Sequence, residues 1–161
     1  TFFLSIRIIA FFRFESVQSS GMADSLWMRL RRVRWNKYQI SPAAKKQVPR
    51  MLENLASRKE PRAMKASHEL WVALCSGQVY SAAEPCLPFL IEILAISEIS
   101  VQGEILDLVT HFAQVSDEPS APDWHRRLRS DLKKQSRYFQ KLSKSRDAII
   151  ADKASSILAL L

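Results

Sequence analysis

The sequence predicts an all-α protein in which antiparallel helix pairs stack into a right-handed α-α superhelix, or solenoid. Apolar residues recur with the 3.6-residue period of helices over long segments, whereas the alternating patterns typical of strands are nearly missing. The first helices of successive pairs are predicted to begin near Pro61, Ser100 and Asp147, a spacing of about 39 to 47 residues. Each pair has more apolar surface than its own two helices can cover, so we expect neighbouring pairs to stack.

Composition is consistent with one folded domain, which we expect to span residues 22–161. Hydrophobic residues make up 47% of the 161 residues, enough to bury a core, and the formal net charge is +8. The charge is unevenly distributed: residues 22–50 contain eight basic residues and one acidic residue, residues 51–122 four and ten, and residues 123–146 nine and two. This pattern indicates a patterned surface that attracts an acidic partner or nucleic acid, or else a solvated exterior.

The opening segment is apolar from residue 2 to residue 14 but is interrupted by Arg7 and Arg13. At about 13 residues the apolar run is too short to span a bilayer, and we expect no integral membrane insertion. A signal-peptide core and an interfacial segment stay open as interpretations. Because Met22 opens a sensible domain, we expect residues 1–21 to be a leader outside the fold.

A short basic amphipathic helix is predicted over residues 25–35, before a loop at 36–44 and a helix at 48–57 that carries Pro49 in its first turn. Arginines interleaved with Trp27, Trp35 and Tyr38 are typical of proteins that contact phosphates and stack on bases. The favoured alternative is that the aromatic residues cover the end of the core while the arginines face water. The candidate surface residues of this segment are Arg29, Arg32 and Arg34.

The centre of the chain, residues 60–96, is predicted to be a helical hairpin. Its first helix, residues 61–76, has two apolar faces and therefore needs neighbours on both sides. One face carries Ala63, Ala66, Leu70 and Leu74, and the other carries Met64, Trp71, Val72 and Cys75. We expect Trp71 to lie between two helix layers, where truncation to alanine costs about 3 to 5 kcal/mol.

The second helix of the hairpin is predicted over residues 81–96. Gly77 is expected to adopt the left-handed conformation that ends the first helix. Ser81 and Glu84 have the spacing of a capping box, which predicts the start of the second helix. Pro88 removes one backbone donor and is expected to kink this helix.

Two further helices are predicted before the chain's last segment. Apolar residues between 101 and 115 recur at steps of four and three, and a loop at 116–122 ends at Asp123, the expected cap of the next helix. That helix, residues 124–143, has an apolar line and an opposite cationic face. The cations of this face are Arg126, Lys133, Arg137, Lys141 and Lys144. Such a ridge is typical either of phosphate contacts or of a helix that needs charge for solubility.

The last segment, residues 147–161, is predicted to be the first helix of another pair and ends on apolar residues. A terminal repeat usually has a polar outer face, so an apolar patch is expected here. We therefore expect that the chain is a fragment of a longer repeat protein, or that this helix is covered by a second subunit or folds back on the array. Oligomerisation through this helix is one of these expectations.

No catalytic, cofactor-binding or metal-binding set is predicted, and we expect a protein that is not an enzyme. The histidines, His68, His111 and His125, fall on three different predicted helices, and local spacing unites no nucleophile with a base. Core packing accounts for His68 and Cys75. Cys75 and Cys86 have no zinc spacing and are interpreted as thiols of a reducing, cytoplasmic compartment.

Several stretches resemble HEAT repeats, whose units have about the length of the period given above. Residues 60–70 and 147–161 are similar to the first part of a repeat: an acidic residue, then small residues and a closing leucine. Where HEAT units commonly have an arginine, this chain has Met64 and Ala151. The stretches 70–71, 77–80 and 87–92 are similar to a group of bacterial HEAT-repeat proteins of unassigned function, which tend to have histidine at the position of Cys75. Residues 26–27, 48–49 and 124–127 also have counterparts in that group, so the resemblance covers about residues 25–161. The resemblance implies an armadillo-like fold and a binding role.

Two function classes follow. The first is a non-catalytic scaffold for protein-protein interaction, such as an immunity or regulatory protein. The second is a nucleic-acid binder that uses the basic helices at 25–50 and 124–146. Convergence of these basic segments on one groove would favour the second class.

Overall fold

The computed structural model describes residues 25–161, which divide into two units between Val33 and Arg34. The described residues are helical and contain no strand, which confirms the all-α prediction for that part of the chain. The leader predicted at residues 1–21 lies outside the described residues.

The described part of the first unit is one short helix, α1 (Leu26–Arg32). The Ser25 hydroxyl accepts a hydrogen bond from the Met28 backbone N–H at 3.2 Å and caps the helix. The Arg31 guanidinium lies over the Trp27 ring, 4.4 Å from its centroid. Leu30 is buried, whereas Trp27 is half exposed. The predicted basic helix therefore exists, but it ends at Arg32, before Trp35.

The second unit contains a 3₁₀ helix at Trp35–Lys37 and seven α-helices. These are α2 (Val48–Leu55), α3 (Glu60–Cys75), α4 (Ala83–Leu94), α5 (Ile99–Ala113), α6 (Asp123–Lys134), α7 (Ser136–Leu142) and α8 (Ala148–Leu160). Their positions agree with the apolar periodicity, since each buries the residues of one stripe.

The helices of the second unit form two layers. In one layer, α5 packs against α3 on one side and against α8 on the other. In the other layer, α4 contacts both α2 and α6. The layers meet where α2 packs on α3, α4 and α6 on α5, and α7 on α8. The core lies between the layers, and its largest fully buried side chains include Phe112, Leu70 and Leu90.

The prediction that α3 and α4 pair as a helical hairpin is wrong, because α3 packs mainly on α2 and α5. The loop before α2 causes this different pairing, because it forms hydrogen bonds at both ends of the segment that connects α3 to α4. The Ser41 N–H donates to the Ala73 carbonyl in the last turn of α3 at 2.9 Å, and the Ala82 N–H donates to the Gln39 carbonyl at 3.1 Å. The helix pairs are therefore α2 with α3 and α4 with α5, one helix out of phase with the prediction.

The predicted capping box of α4 is also absent. The Ser81 hydroxyl accepts a hydrogen bond from the Gln39 N–H at 2.8 Å, and Glu84 pairs with Arg127 of α6 at 3.0 Å. Both side chains therefore serve tertiary contacts. Gly77 has φ +79° and confirms the predicted left-handed turn. The helix continues through Pro88.

The long helix predicted at 124–143 is divided at Gln135 into α6 and α7. Asp123 is the first residue of α6, not its cap. The division lets α7 pack on α8 while α6 packs on α4 and α5. The cationic face is consequently not one continuous ridge.

The last helix, α8, is packed against α5 and α7. The Asp147 carboxylate caps it by accepting bonds from the N–H groups of Ile149 and Ile150. Leu158 and Leu161 are half-buried, and Ile149 is exposed. The apolar patch expected at the end of this helix is therefore smaller than predicted. None of the helices between residues 25 and 161 combines the length and apolar character needed to cross a membrane.

Candidate functional site

The surface of the second unit has an open cleft between α3 and α5, with a volume of about 370 Å³. We call it the α3/α5 cleft. It brings together two histidines, two carboxylates, a tryptophan and a threonine. These residues are His68, Trp71, Glu104, Asp107, Thr110 and His111.

The cleft follows from the periodicity of the two helices. In α3, His68 and Trp71 are three residues apart and so lie on one side of the helix. In α5, Glu104, Asp107 and His111 are spaced by three and four residues and form a polar stripe beside a buried apolar one. Since α3 and α5 pack side by side, the two sets face the same groove. The polar stripe within the apolar helix α5 is visible in the sequence and is the signal from which this site could have been predicted.

Contacts between the helices fix the geometry of the cleft. The rings of Trp71 and His111 meet edge to face, with centroids 4.4 Å apart. His68 Nε2 lies 3.8 Å from Glu104 Oε2. At one end of α3, the Ser100 hydroxyl donates to Glu60 Oε1 at 2.6 Å. These cross-helix contacts hold the two walls of the cleft in register.

The hydrogen bond of His111 determines which of its nitrogens carries a proton. Its Nδ1 lies 3.2 Å from the carbonyl oxygen of Asp107. A carbonyl only accepts, so Nδ1–H is the donor and the Nε2 of the neutral ring is an acceptor. The Thr110 hydroxyl donates its proton to the Leu106 carbonyl at 2.7 Å, which leaves its oxygen as an acceptor.

The two carboxylates of the cleft are only partly engaged. Asp107 Oδ2 accepts a hydrogen bond from Lys153 of α8 at 2.9 Å, and Lys153 also donates to the Gly103 carbonyl at 3.3 Å. Within residues 25–161, neither Asp107 Oδ1 nor Glu104 Oε1 has a hydrogen-bond partner. The cleft therefore presents acceptors that are open to a ligand.

Two sequence predictions fail at this site. His68 is exposed, with 67% of its side-chain surface accessible, and is not a core residue. Trp71 is only half-buried, and Val72 beside it is exposed. The second apolar face of α3 is thus only partly covered, since Trp71 lines the cleft and Val72 is exposed, whereas Cys75 is buried.

The predicted basic surface is distributed over several elements. Arg29 and Arg32 belong to α1 of the first unit, whereas Arg34 precedes the 3₁₀ helix of the second. Arg126 is paired with Asp123 at the start of α6.

The remaining predicted cations are exposed on both sides of the division at Gln135. They are Lys133, Arg137, Lys141 and Lys144. Within the described chain, none of these four side chains has a hydrogen-bond or ion-pair partner. They remain available to an anionic partner.

The thiols are unsuited to nucleophilic chemistry. Cys75 and Cys86 are buried and free. Burial raises the pKa of Cys75 from 9.0 to about 12, and burial together with the neighbouring Cys75 raises the pKa of Cys86 further. Both groups are therefore protonated thiols at neutral pH.

In the part of the chain from residue 25 onward, no three His, Cys, Asp or Glu side chains are grouped closely enough to hold a metal ion. The α3/α5 cleft has two histidines and two carboxylates, but His111 Nδ1 is hydrogen-bonded to a carbonyl and Asp107 to a lysine.

Comparisons with known proteins add no relative. A scan against family models, a search of curated proteins and a search of solved structures each found no match to this chain. The resemblance to HEAT-repeat proteins therefore stays a prediction from the motifs.

Proposed function

We propose that this chain is a non-catalytic scaffold that binds a protein partner through the exposed side of the α3-α5-α8 layer. The observation that carries the proposal is the open α3/α5 cleft, in which a half-exposed tryptophan lies among partly engaged polar groups. Aromatic residues surrounded by polar groups are typical of the energetically important part of protein interfaces.

Thr110 and the two thiols are unsuited to act as nucleophiles, which favours a binding role over nucleophilic catalysis. The Thr110 hydroxyl and His111 Nδ1 bond to backbone carbonyls of their own helix. The buried thiols have raised pKa values.

The two helix layers are in keeping with a HEAT-like or armadillo-like solenoid, a right-handed superhelix whose layers each present one continuous surface. We include this fold, a role as an immunity or regulatory protein, and a cytoplasmic location in the proposal. The free thiols Cys75 and Cys86 support the location, because cytoplasmic proteins keep cysteines reduced.

Affinity capture with a blocked cleft tests the proposal. Thr110→Arg introduces a long side chain into the cleft, and Ser130→Arg adds the same side chain to exposed surface of α6 as the matched control. We expect a partner from the source cell to be retained by wild type and by Ser130→Arg but lost by Thr110→Arg. Equal capture by all three proteins would refute binding through the cleft.

The four unpartnered cations favour a second candidate function, nucleic-acid binding by the basic helices. Four phosphate contacts predict a slope of about −3.6 on duplex DNA, and about −2.8 on a single strand, for the logarithm of affinity against the logarithm of salt concentration. A salt titration with labelled duplex DNA and single-stranded RNA measures this slope. A variant with Lys133, Arg137, Lys141 and Lys144 changed to glutamine should bind at least tenfold more weakly. A slope near zero would exclude this candidate.

A further inference from the structure

We propose that the α3/α5 cleft receives an arginine side chain of the protein partner. The inference rests on the proposed binding role and names the chemistry that the cleft recognises. It is carried by three observations: the unpartnered acceptors, the tryptophan wall, and the exposed apolar surface beside them.

The polar atoms of the cleft that have hydrogen-bonding capacity to spare are acceptors. Asp107 Oδ1 and Glu104 Oε1 are carboxylate oxygens without a partner in residues 25–161, and in the His111 tautomer that carries its proton on Nδ1, Nε2 is an acceptor. The Thr110 hydroxyl donates its hydrogen bond to a backbone carbonyl, so its oxygen can only accept a further one. A ligand that satisfies these groups must bring several donors, and two carboxylates beside one lysine favour a positive charge.

Trp71 selects among donor-rich cations. Its ring is half exposed and is held in place by the edge-to-face contact with His111. A guanidinium stacks flat on such a ring while its edge donates several hydrogen bonds in one plane, which suits the free carboxylate oxygens. An ammonium is a compact, strongly hydrated charge and cannot make both contacts in one plane. Arginine therefore fits better than lysine.

The surroundings of the cleft point to a polypeptide as the source of the cation. The cleft is open, and its volume of about 370 Å³ is at the small end of ligand pockets, which hold about 300 to 1,000 Å³. Val72, next to Trp71, is 38% exposed, and Met64 two turns earlier is half-buried. A residue neighbouring the arginine in a peptide covers such apolar atoms, whereas a small free cation does not.

The test uses the whole chain and five-residue peptides with blocked ends and a central arginine, lysine or citrulline flanked by glycines. Citrulline keeps the shape of arginine but has no charge. Binding is followed by NMR through the indole N–H of Trp71, which is assigned with Trp71→Phe. We expect saturable binding of the arginine peptide with a Kd of about 1 to 10 mM, and at least tenfold weaker binding of the citrulline peptide.

Glu104→Gln should weaken binding of the arginine peptide by about fivefold. Glu118→Gln, a change in an exposed loop, should leave this binding unaltered. Glu104→Asp supplies a second variant if the first fails to fold. Equal binding of the arginine and citrulline peptides, or tighter binding of the lysine peptide, would overturn the inference. Guanidinium chloride or spermidine binding as tightly as the arginine peptide would overturn the polypeptide source.

These outcomes are distinguishable from failure of the proposed function. A partner whose capture is lost in Thr110→Arg, combined with no preference for arginine over citrulline, would contradict only the inference. Capture that does not depend on the cleft would contradict the proposed binding face itself. Arginine selectivity that is reduced by Glu104→Gln supports the inference.

Discussion

Arg129 in α6 connects three segments, and its substitution should cost considerable stability. Its guanidinium donates hydrogen bonds to the Ala113 carbonyl at the end of α5 and to the Leu160 carbonyl at the end of α8, the latter at 2.9 Å. Both acceptors lie at helix C-termini, where the partial charge is negative and carbonyls have no partner within the helix. The side chain is 16% exposed.

The cost of Arg129→Ala can be worked out from these contacts. Hydrogen bonds from a charged donor contribute about 1.5 to 3 kcal/mol each, so two good bonds give about 3 to 6 kcal/mol. The 3.4 Å contact to Val115 and the 3.7 Å ion pair with exposed Asp117 add little. Part of this loss is offset in the variant. Water can enter the vacated space and bond to the carbonyls, and the cost of burying the arginine charge is no longer paid. We expect a net loss of about 3 kcal/mol, or about a hundredfold in the folding equilibrium constant.

Urea unfolding followed by circular dichroism measures this loss. The matched control is Arg126→Ala, which removes the same side chain three residues earlier, where it is 61% exposed and paired with the exposed carboxylate of Asp123. We expect the control to unfold close to the wild-type midpoint, and Arg129→Lys to fall between Ala and wild type because an ammonium cannot reach both carbonyls. A loss below about 1 kcal/mol for Arg129→Ala would refute the reasoning.

Three further predictions concern the turn, the thiols and the cleft wall. Gly77→Ala should cost about 1 kcal/mol in urea unfolding, because φ is +79° and the added Cβ meets no neighbour; an unchanged midpoint would contradict the role of the left-handed turn. Burial raises the pKa of both thiols in the folded state above the ordinary value of 9.0. Their contribution to the free energy of unfolding is therefore complete below pH 9.0, and it is lost as pH rises from about 9 towards 12 because the unfolded chain ionises first. Urea unfolding at pH 8 and pH 10 should show this decline, and Cys75→Ser with Cys86→Ala should flatten it. Trp71→Ala should cost about 2 kcal/mol, less than the value expected for a fully buried tryptophan, and a loss above about 4 kcal/mol would indicate that the ring is core.

Local patterns in the sequence determined the helical class and most helix positions. The apolar steps at Val101, Ile105, Leu108 and Phe112 predicted α5, and all four residues are buried. Gly77 predicted the end of α3 because few other residues adopt φ +79° without strain. These features depend on residues within one or two turns of each other, and such dependence is visible in a linear chain.

Tertiary structure alone decided which helices pair and which side chains share a site. The Ser81 hydroxyl bonds to Gln39, 42 residues away, and so the local capping pattern with Glu84 was overridden. The α3/α5 cleft joins Trp71 to His111, 40 positions along the chain, and no local period relates residues at that separation. Arg129 contacts the ends of two helices 16 and 31 residues distant. Such contacts depend on how the layers stack. Each helix packs where the most apolar surface is buried, and this position depends on all of its neighbours in the fold.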